Sequence, residues 1–296
     1  MLRCVLDQHC WLQNRFEQIL RYLHASDSTV QPRKGTPAYD PLYKARHIID
    51  TCNSTWAQHY KPDAYVAVDE AMAAFMGRVG FKTRMPKAHD VGMRAWLMAE
   101  SRTGYALAAD VKCDKYRHDE HAGRFEGTAV TMGLLKTAGL EHRGHVVVTD
   151  NYYTSAQLCA ELKAVNTYAH GIIRTSRVPR ELQWSAAEAR SAARGTMKHH
   201  YDEESGILLT SWKDARVVYF LSTATGNPGG HSVKRWFNGT RHTIPAPFGL
   251  YVYNLQMGPV DHTVRGFLSM MMYTVLSFTV MNVCLCPTTG SAPVIL

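Results

Sequence analysis

The sequence has no C-x-x-C pair, no internal repeat and no low-complexity tract. Its seven cysteines are odd in number and scattered along the chain, which argues against a disulfide framework and against a zinc ribbon. Cysteine usage therefore fits a reducing compartment best. The first ten residues carry Arg3 and Asp7 beside a short apolar run and lack a clear small-residue cleavage site, so they are a poor secretory signal.

Charged residues are missing from the C-terminal end of the sequence. Residues 266–296 contain none, and residues 266–285 are long enough to span a bilayer. Polar residues such as Ser269, Thr274 and Asn282 make this segment a poor membrane helix. We expect a buried helix or an altered tail and no membrane partner, with a membrane anchor as the alternative.

Acidic residues are fewer than basic ones. The chain has 33 Lys and Arg against 25 Asp and Glu, which gives a net charge of +8. This excess favours a polyanionic partner such as nucleic acid, although a basic soluble protein with no such partner is equally compatible with it. With 296 residues, 46% of them hydrophobic, the chain can bury one sizeable core or two modest ones.

Hydrophobic periodicity predicts an α/β protein. The predicted elements are, in order, helices over 12–23 and 45–56, strands over 65–68, 94–99 and 105–111, a helix over 128–139, a strand over 145–149, a helix over 155–165 and a strand over 169–173. A three-strand meander extended by parallel strands through helical crossovers is the order of the ribonuclease H fold. Residues 179–245 depart from this order. We interpret them as a mostly β insertion with strands over 207–212 and 216–222.

Two aspartates terminate predicted strands. Asp69 and Asp150 each follow a short apolar run, and in this topology the two strands are parallel neighbours about 4.8 Å apart. Their carboxylates would meet at one sheet edge. The spacing of the strands is on the same scale as the roughly 3.5 to 4 Å that separates paired metal ions in phosphoryl-transfer enzymes. Oxygen ligands suit Mg²⁺ or Mn²⁺, and a third acid is needed. The alternative is that both aspartates are solvated turn or capping groups.

The local sequence around each acid carries a resemblance. Asp69-Glu70 is followed by F-M-G-R at 75–78 and by Phe81-Lys82, residues 150–155 read D-N-Y-Y-T-S, and residues 253–261 read Y-N-L-Q-M-G-P-V-D. In this order the three motifs resemble the acid motifs of piggyBac transposases and their domesticated derivatives. The match extends from about residue 16 to Asp261.

The resemblance implies a fold, a chemistry and a set of site residues. It implies a ribonuclease H-like core, a mixed sheet with flanking helices, interrupted by a mostly β insertion domain. Asp69, Asp150 and Asp261 would be the catalytic residues and would bind two Mg²⁺ or Mn²⁺ ions. DNA contacts would come from Arg174, Arg177 and Lys82; for the two arginines, solvated surface is the alternative.

Family members excise an element by nicking and hairpin formation and integrate it at TTAA. By this resemblance we expect a nuclear protein, acting as a homodimer on double-stranded DNA at element ends and at the target. The expected segments are a helical dimerisation or DNA-binding region (1–62), a first core part (63–177), the insertion (178–247), the third-acid segment (248–270) and a diverged or truncated tail (271–296).

The motif around the third acid departs from the family pattern. Val264 occupies a position where the family commonly has Asp, and Pro259 replaces the second glycine of the motif. If Pro259 begins a helix, Asp261 is also explained as a favourable charge near the helix N-terminus. Beyond Arg265 the resemblance stops. Two functions therefore remain open: a metal-dependent transposase, or a transposase-derived DNA-binding protein without catalytic activity.

Overall fold

The computed structural model describes residues 15, 26–74, 80, 82–84, 91–113, 124–224 and 230–258. The helices are α1 (Tyr43–His59), α2 (Glu126–Thr137), α3 (Ala156–Ala164), α4 (Ala186–Ser191) and α5, which covers residues 248–258 up to the last described residue. The strands are β1 (Tyr65–Ala74), β2 (Thr83–Arg84), β3 (Val91–Glu100), β4 (Ala106–Val111), β5 (Val146–Thr149), β6 (Tyr168–Ile173), β7 (Met197–Asp202), β8 (Ile207–Lys213), β9 (Val217–Ser222), β10 (His231–Phe237) and β11 (Thr240–Ala246).

Nine of these strands form one mixed sheet in the order β2-β3-β1-β5-β6-β9-β8-β7, with β4 paired to β3. Strand β3 is antiparallel to both β1 and β4, whereas β5 is parallel to both β1 and β6. The predicted meander and the predicted parallel extension are both confirmed. Strand β5 is an apolar Val-Val-Val-Thr run because it is covered on both faces, as parallel strands usually are.

Helices cover the two faces of the sheet. On one face, α1 contributes Ala45, Ile49 and Trp56 to a core that includes Ala67 and Val148. On the other face, α2 and α3 pack against the alternate strand residues, and the largest buried side chains there are Trp96, Tyr153, Met98, Leu107, Leu134, Leu135, Leu140 and Leu158. The pleat of β1 and β5 thus assigns successive residues to opposite layers.

The predicted strands over 207–212 and 216–222 are confirmed as β8 and β9, but they are not separate from the main sheet. Strand β9 pairs antiparallel with β6, and β8 and β7 follow. The sheet therefore runs without a break from the expected core (63–177) into the expected insertion (178–247). Pairing with β9 satisfies the backbone groups of β6, which would otherwise be an open sheet edge.

Strands β10 and β11 form a separate two-stranded sheet. The hairpin packs through Val233, Ile244 and Ala246 against Trp212 and Phe220 of the main sheet. Helix α5 begins directly after β11 and adds Leu250 to the same cluster. Neither this hairpin nor α5 was predicted from the sequence.

Several sequence expectations concern segments that the structure does not describe. The predicted helix over 12–23 falls there except for Arg15, which is helical, and the whole 266–285 segment also falls there. Among the described residues, no helix combines the length and apolar character needed to cross a membrane. The expected helices over 45–56, 128–139 and 155–165 are confirmed as α1, α2 and α3, with ends shifted by up to three residues.

Candidate active site

Asp69 and Asp150 lie together where the parallel pairing of β1 and β5 ends. Asp150 directly follows β5 as predicted, but the prediction that Asp69 terminates its strand is wrong, because β1 continues to Ala74 through its antiparallel pairing with β3. Val68 of β1 pairs in register with Thr149 of β5, so the two aspartates follow at matching positions. Each lies two residues beyond a residue of the α1-side core, Ala67 or Val148, and both carboxylates therefore project on that face. They line one open cleft of about 320 Å³ together with residues of α5: Tyr253, Asn254, Met257 and Gly258.

The turn after Asp150 is held by hydrogen bonds from its own residues. The backbone N–H of Tyr152 donates to Asp150 Oδ1 over 2.8 Å, and the Thr154 hydroxyl donates to the Asp150 carbonyl over 2.8 Å. Ser155 then caps α3 by accepting from the N–H of Leu158 over 3.0 Å. The D-N-Y-Y-T-S string is thus a strand end, a tight turn and a helix cap in succession.

Two glycines allow neighbouring elements to approach this turn closely. A Cβ on Gly171 of β6 would lie 2.3 Å from the Thr149 carbonyl oxygen and 2.4 Å from Thr154 Oγ1. A Cβ on Gly127 of α2 would lie 2.8 Å from the Tyr153 Cα. All three distances are too short for a real Cβ atom, so any larger residue at either position would shift the turn that positions Asp150.

The three basic residues expected to contact DNA have different surroundings. Arg177 extends Nη1 to three carbonyl oxygens of the turn, those of Asn151 (3.2 Å), Tyr152 (3.0 Å) and Thr154 (2.8 Å). Arg174 is exposed at the end of β6, with Nε 3.2 Å from Asn151 Oδ1. Lys82 is exposed next to β2. Arg177 therefore holds the turn, whereas Arg174 and Lys82 face solvent.

The electrostatics of the cleft favour a cation. Burial raises the pKa of the Asp150 carboxyl, although the N–H groups of Tyr152 and Tyr153 and the charges of Arg174 and Arg177 act in the opposite direction. The pKa of the Tyr153 phenol is raised well above its usual value, mainly by burial. The nearby carboxylates of Glu70, Asp69 and Asp150 raise it further. The Tyr153 hydroxyl is fully buried and has no hydrogen-bond partner within the described part of the chain.

A polar network on the opposite face of the sheet links residues close to Asp69 and Asp150 in the chain. Glu70 forms an ion pair with Arg94, whose guanidinium lies 5.0 Å from the centre of the Tyr152 ring. The Tyr152 hydroxyl donates to Glu126 at the start of α2, and Lys112 lies 3.0 Å from the same carboxylate. Sequence reasoning missed this network. The signal available was the alternation of β1, which puts Glu70 on the face opposite Asp69.

Comparison with known proteins identifies the family. A family model described as "Transposase IS4" matches residues 8–273. The human PiggyBac transposable element-derived protein 3 is 25% identical over 253 residues, which is 84% of this chain and 42% of that protein. The human Chimeric ERCC6-PGBD3 protein is likewise 25% identical over 253 residues, 84% of this chain and 23% of that protein.

The chain belongs to the piggyBac transposase family.

A solved structure shares the fold. The cryo-EM structure of a piggyBac transposase synaptic complex with hairpin DNA superimposes with a TM-score of 0.72 at 22% identity, covering 90% of this chain and 57% of that one. This piggyBac-type chain therefore has the mixed α/β fold of that transposase. It spans less than half the length of the curated relatives.

The third acid of the piggyBac motif, Asp261, lies outside the described residues, as do Pro259 and Val264. The residues before it are helical: α5 lies along the cleft and is described as far as Gly258, three positions before Asp261. Within the described ranges, no group of three or more His, Cys, Asp or Glu side chains is placed to hold a metal ion. The described part of the site thus consists of two carboxylates and the helix that leads toward the third.

Proposed function

We propose that this chain is a piggyBac-type transposase domain that cleaves and joins DNA with divalent metal ions, at element ends and TTAA targets. The observation that carries the proposal is that Asp69 and Asp150 line one cleft where the parallel pairing of β1 and β5 ends, with the helix that precedes Asp261 in the chain forming its wall. A ribonuclease H-like core is supported by the strand order β4-β3-β1-β5-β6. Residues 178–247 would be the family's insertion.

The described residues fit a divalent cation. The two carboxylates supply the hard oxygen ligands that Mg²⁺ and Mn²⁺ prefer, and Asp261 would complete the set. Burial raises the pKa of Asp150 even though Arg174 and Arg177 lie near it, so the negative charge of its carboxylate is incompletely balanced. Bound there, two ions would supply an activated hydroxyl nucleophile and neutralise charge on the scissile phosphate. The chain's own contribution would be the fixed position of its ligands.

DNA is the proposed partner. The structural neighbour is a complex with hairpin DNA, and the chain carries a net charge of +8. Arg174 is exposed at the end of β6 and Lys82 is exposed next to β2; both would contact phosphates, for which the planar guanidinium of Arg174 is well suited. Arg177 would act mainly by holding the turn. A DNA substrate also supports nuclear location, and a homodimer would present two element ends together.

The test is cleavage and strand transfer of a TTAA-flanked element end by the full chain in Mn²⁺ or Mg²⁺. The Asp69→Asn and Asp150→Asn variants should lose activity and keep DNA binding, because they preserve shape and remove only the carboxylate charge. Lys136→Ala, at an exposed position in the last turn of α2, is the matched control. Cleavage that survives in Asp150→Asn would reject the proposed catalytic site.

A second candidate is a transposase-derived DNA-binding protein without catalysis. It is favoured by Val264 and Pro259 in the third motif, since a lost supporting carboxylate weakens metal binding. The discriminating experiment compares the natural chain with Val264→Asp. Restored cleavage in the variant, together with an inactive natural chain that still binds DNA, would support this second candidate. An active natural chain would exclude it.

A further inference from the structure

The β10–β11 hairpin presents a basic and aromatic outer face. The strand alternation leaves Lys234 and Trp236 of β10 exposed, and Trp236 is 71% exposed. Trp236 pairs across the hairpin with Arg241, and Lys234 pairs with Thr243; both partners are exposed as well. One face of the hairpin therefore consists of an indole ring flanked by two cationic side chains. We call these three residues, Lys234, Trp236 and Arg241, the hairpin face.

The inner face of the hairpin is fixed to the main sheet. Arg235 Nε donates to Asp214 Oδ2 over 2.8 Å, and Trp212 Nε1 donates to the Pro245 carbonyl over 2.9 Å. The Arg194 guanidinium lies 4.3 Å from the centre of the Phe237 ring. These contacts hold the inner face of the hairpin against the main sheet. The exposed Trp236 side chain therefore lies on a packed β-hairpin.

Negative charge is absent from this part of the chain. No Asp or Glu occurs in residues 215–260, and Asp214 is engaged on the inner side by Arg194 and Arg235. The charges of Lys234 and Arg241 are therefore uncompensated by any acid of their own strands. A large exposed aromatic ring between two such cations is complementary to a polyanion that carries flat, apolar groups.

The hairpin face and the cleft belong to one continuous structure. Helix α5 follows β11 directly, its first turn contacts the hairpin through the His231 and Tyr251 rings, 4.5 Å apart, and its last turn lines the cleft. Residues 248–258 of an α-helix rise on the order of 15 Å. Trp236 lies five residues along β10 from His231, on the order of a further 17 Å. A DNA strand of several nucleotides would therefore be needed to contact both places.

We propose that the hairpin face binds an unpaired, single-stranded segment of the DNA on which the cleft acts, with Trp236 stacked on a base and Lys234 and Arg241 contacting flanking phosphates. This inference rests on the proposed function, because it takes DNA as the substrate. A duplex keeps its base faces buried in the stack, whereas an unpaired base offers a free π-face to the indole. The indole and the two cations are the combination that single-strand binding sites use.

The first experiment measures the affinity of the full chain for a duplex end and for the same end with a single-stranded overhang. Trp236→Ala should weaken binding of the overhang substrate roughly 5- to 100-fold, the range expected for one lost base stack, and should leave blunt duplex binding nearly unchanged. The logarithm of the affinity for the overhang substrate falls with the logarithm of the salt concentration. Lys234→Glu and Arg241→Glu should each reduce the steepness of this dependence by about 0.7 or more. Tyr201→Ala, at an aromatic residue of β7 that is 58% exposed, and Lys136→Glu are the controls.

A second experiment follows tryptophan fluorescence. A stacked base should quench mainly the emission of Trp236, because the other described tryptophans are buried. These are Trp56, Trp96, Trp184 and Trp212. Adding an unlabelled single-stranded oligonucleotide should quench the natural chain. Trp236→Phe should keep most of the affinity, because the ring remains, and should lose most of the quenching.

The outcomes separate this inference from the proposed function. If the natural chain binds no DNA, the proposed function fails and the inference fails with it. If the natural chain binds the overhang and Trp236→Ala and Arg241→Glu bind it equally well, only the inference is overturned. A variant that changes the oligomeric state in sedimentation while its DNA affinity is unaltered would make the hairpin face a protein interface and would likewise overturn the inference.

Discussion

At the scale of single residues, the position of Asp150 depends on neighbours that carry no chemistry of their own. Gly127 and Gly171 permit close backbone approach to the turn, and Arg177 binds three of its carbonyl oxygens. The proposed metal site needs such support, since a displacement of about 1 Å can cost on the order of 100-fold in rate.

Gly171→Ala tests the close approach of β6. The added methyl would lie 2.3 Å from the Thr149 carbonyl oxygen, a backbone atom that cannot move without shifting Asp150. We expect the variant to lose about 1 to 3 kcal/mol in free energy of unfolding and most of its activity. Gly133→Ala is the control, because its added methyl would meet no atom within 4 Å apart from its chain neighbours and the backbone of its own helix. Urea unfolding and cleavage assays measure both, and a Gly171→Ala chain as active as Gly133→Ala would contradict the prediction.

Arg177→Ala and Arg174→Ala should have different effects although both remove a guanidinium. Arg177→Ala leaves the turn carbonyls without their donor, so hydrogen exchange over residues 151–154 should increase and cleavage should fall about 100-fold. Arg174→Ala should instead lower DNA affinity and reduce the salt slope by about 1. If Arg177→Ala changed the salt slope and left the turn protected, Arg177 would be a DNA contact after all.

At the scale of elements, two connections fix how helices sit on the sheet. Asn53 of α1 pairs with the backbone of Ala109 in β4, donating from Nδ2 over 3.0 Å and accepting at Oδ1 over 2.8 Å. His170 of β6 donates from Nε2 to the Gly249 carbonyl over 2.7 Å, which ties the start of α5 to the sheet. The first contact covers the backbone of β4, and the second orients the wall of the cleft.

Asn53→Ala should destabilise the fold without affecting the chemistry directly. The substitution removes both hydrogen bonds to Ala109, and each backbone group left unpaired and shielded from water costs about 1 to 3 kcal/mol. Ser54→Ala is the neighbouring control, because that hydroxyl only donates to the Thr51 carbonyl of its own helix. Chemical denaturation should separate the two variants by at least about 1 kcal/mol, and equal stabilities would show that water replaces the amide.

The His170 contact should make the attachment of α5 depend on pH. Burial lowers the pKa of His170, only partly offset by the hydrogen bond to Gly249, so the neutral ring is the form that the fold accommodates. Because the folded pKa lies below the unfolded value of about 6.5, this stabilisation is complete above that pH and is lost as the pH falls toward the folded pKa.

Hydrogen exchange over residues 248–258, compared between about pH 7.5 and 5.5, measures this effect. Lowering the pH should increase the hydrogen-exchange rate of α5 more in the natural chain than in His170→Gln, because a glutamine side chain does not titrate. Parallel pH dependence in the two proteins would mean that other groups control the helix.

At the scale of the whole molecule, the cleft joins parts that are distant in the chain, and a bound ion should stabilise all of them. A ligand that binds only the folded state at 100 times its dissociation constant adds about 2.7 kcal/mol. Mn²⁺ should therefore raise the melting temperature of the natural chain by several degrees. Asp69→Asn and Asp150→Asn should show little or no shift, whereas Asp110→Asn, an acid of β4, should still respond. A shift of equal size in all four proteins would place the ion elsewhere.

The amino-acid sequence by itself determined the elements and the family. Helices α1, α2 and α3, the meander and the parallel strands follow from local periodicity, and the motif strings around Asp69 and Asp150 pointed to the piggyBac family. These features are local in sequence, where short-range pattern is informative.

Only the tertiary structure decided how these parts support one another. The pairing of β9 with β6, the Glu70–Arg94 ion pair and the contacts of Arg177 with the turn join residues that are far apart in the sequence. The residues of the hairpin face are close in sequence, but their exposure depends on which side of the hairpin packs on the main sheet. Such contacts follow from sheet order and strand register, which composition and spacing do not specify.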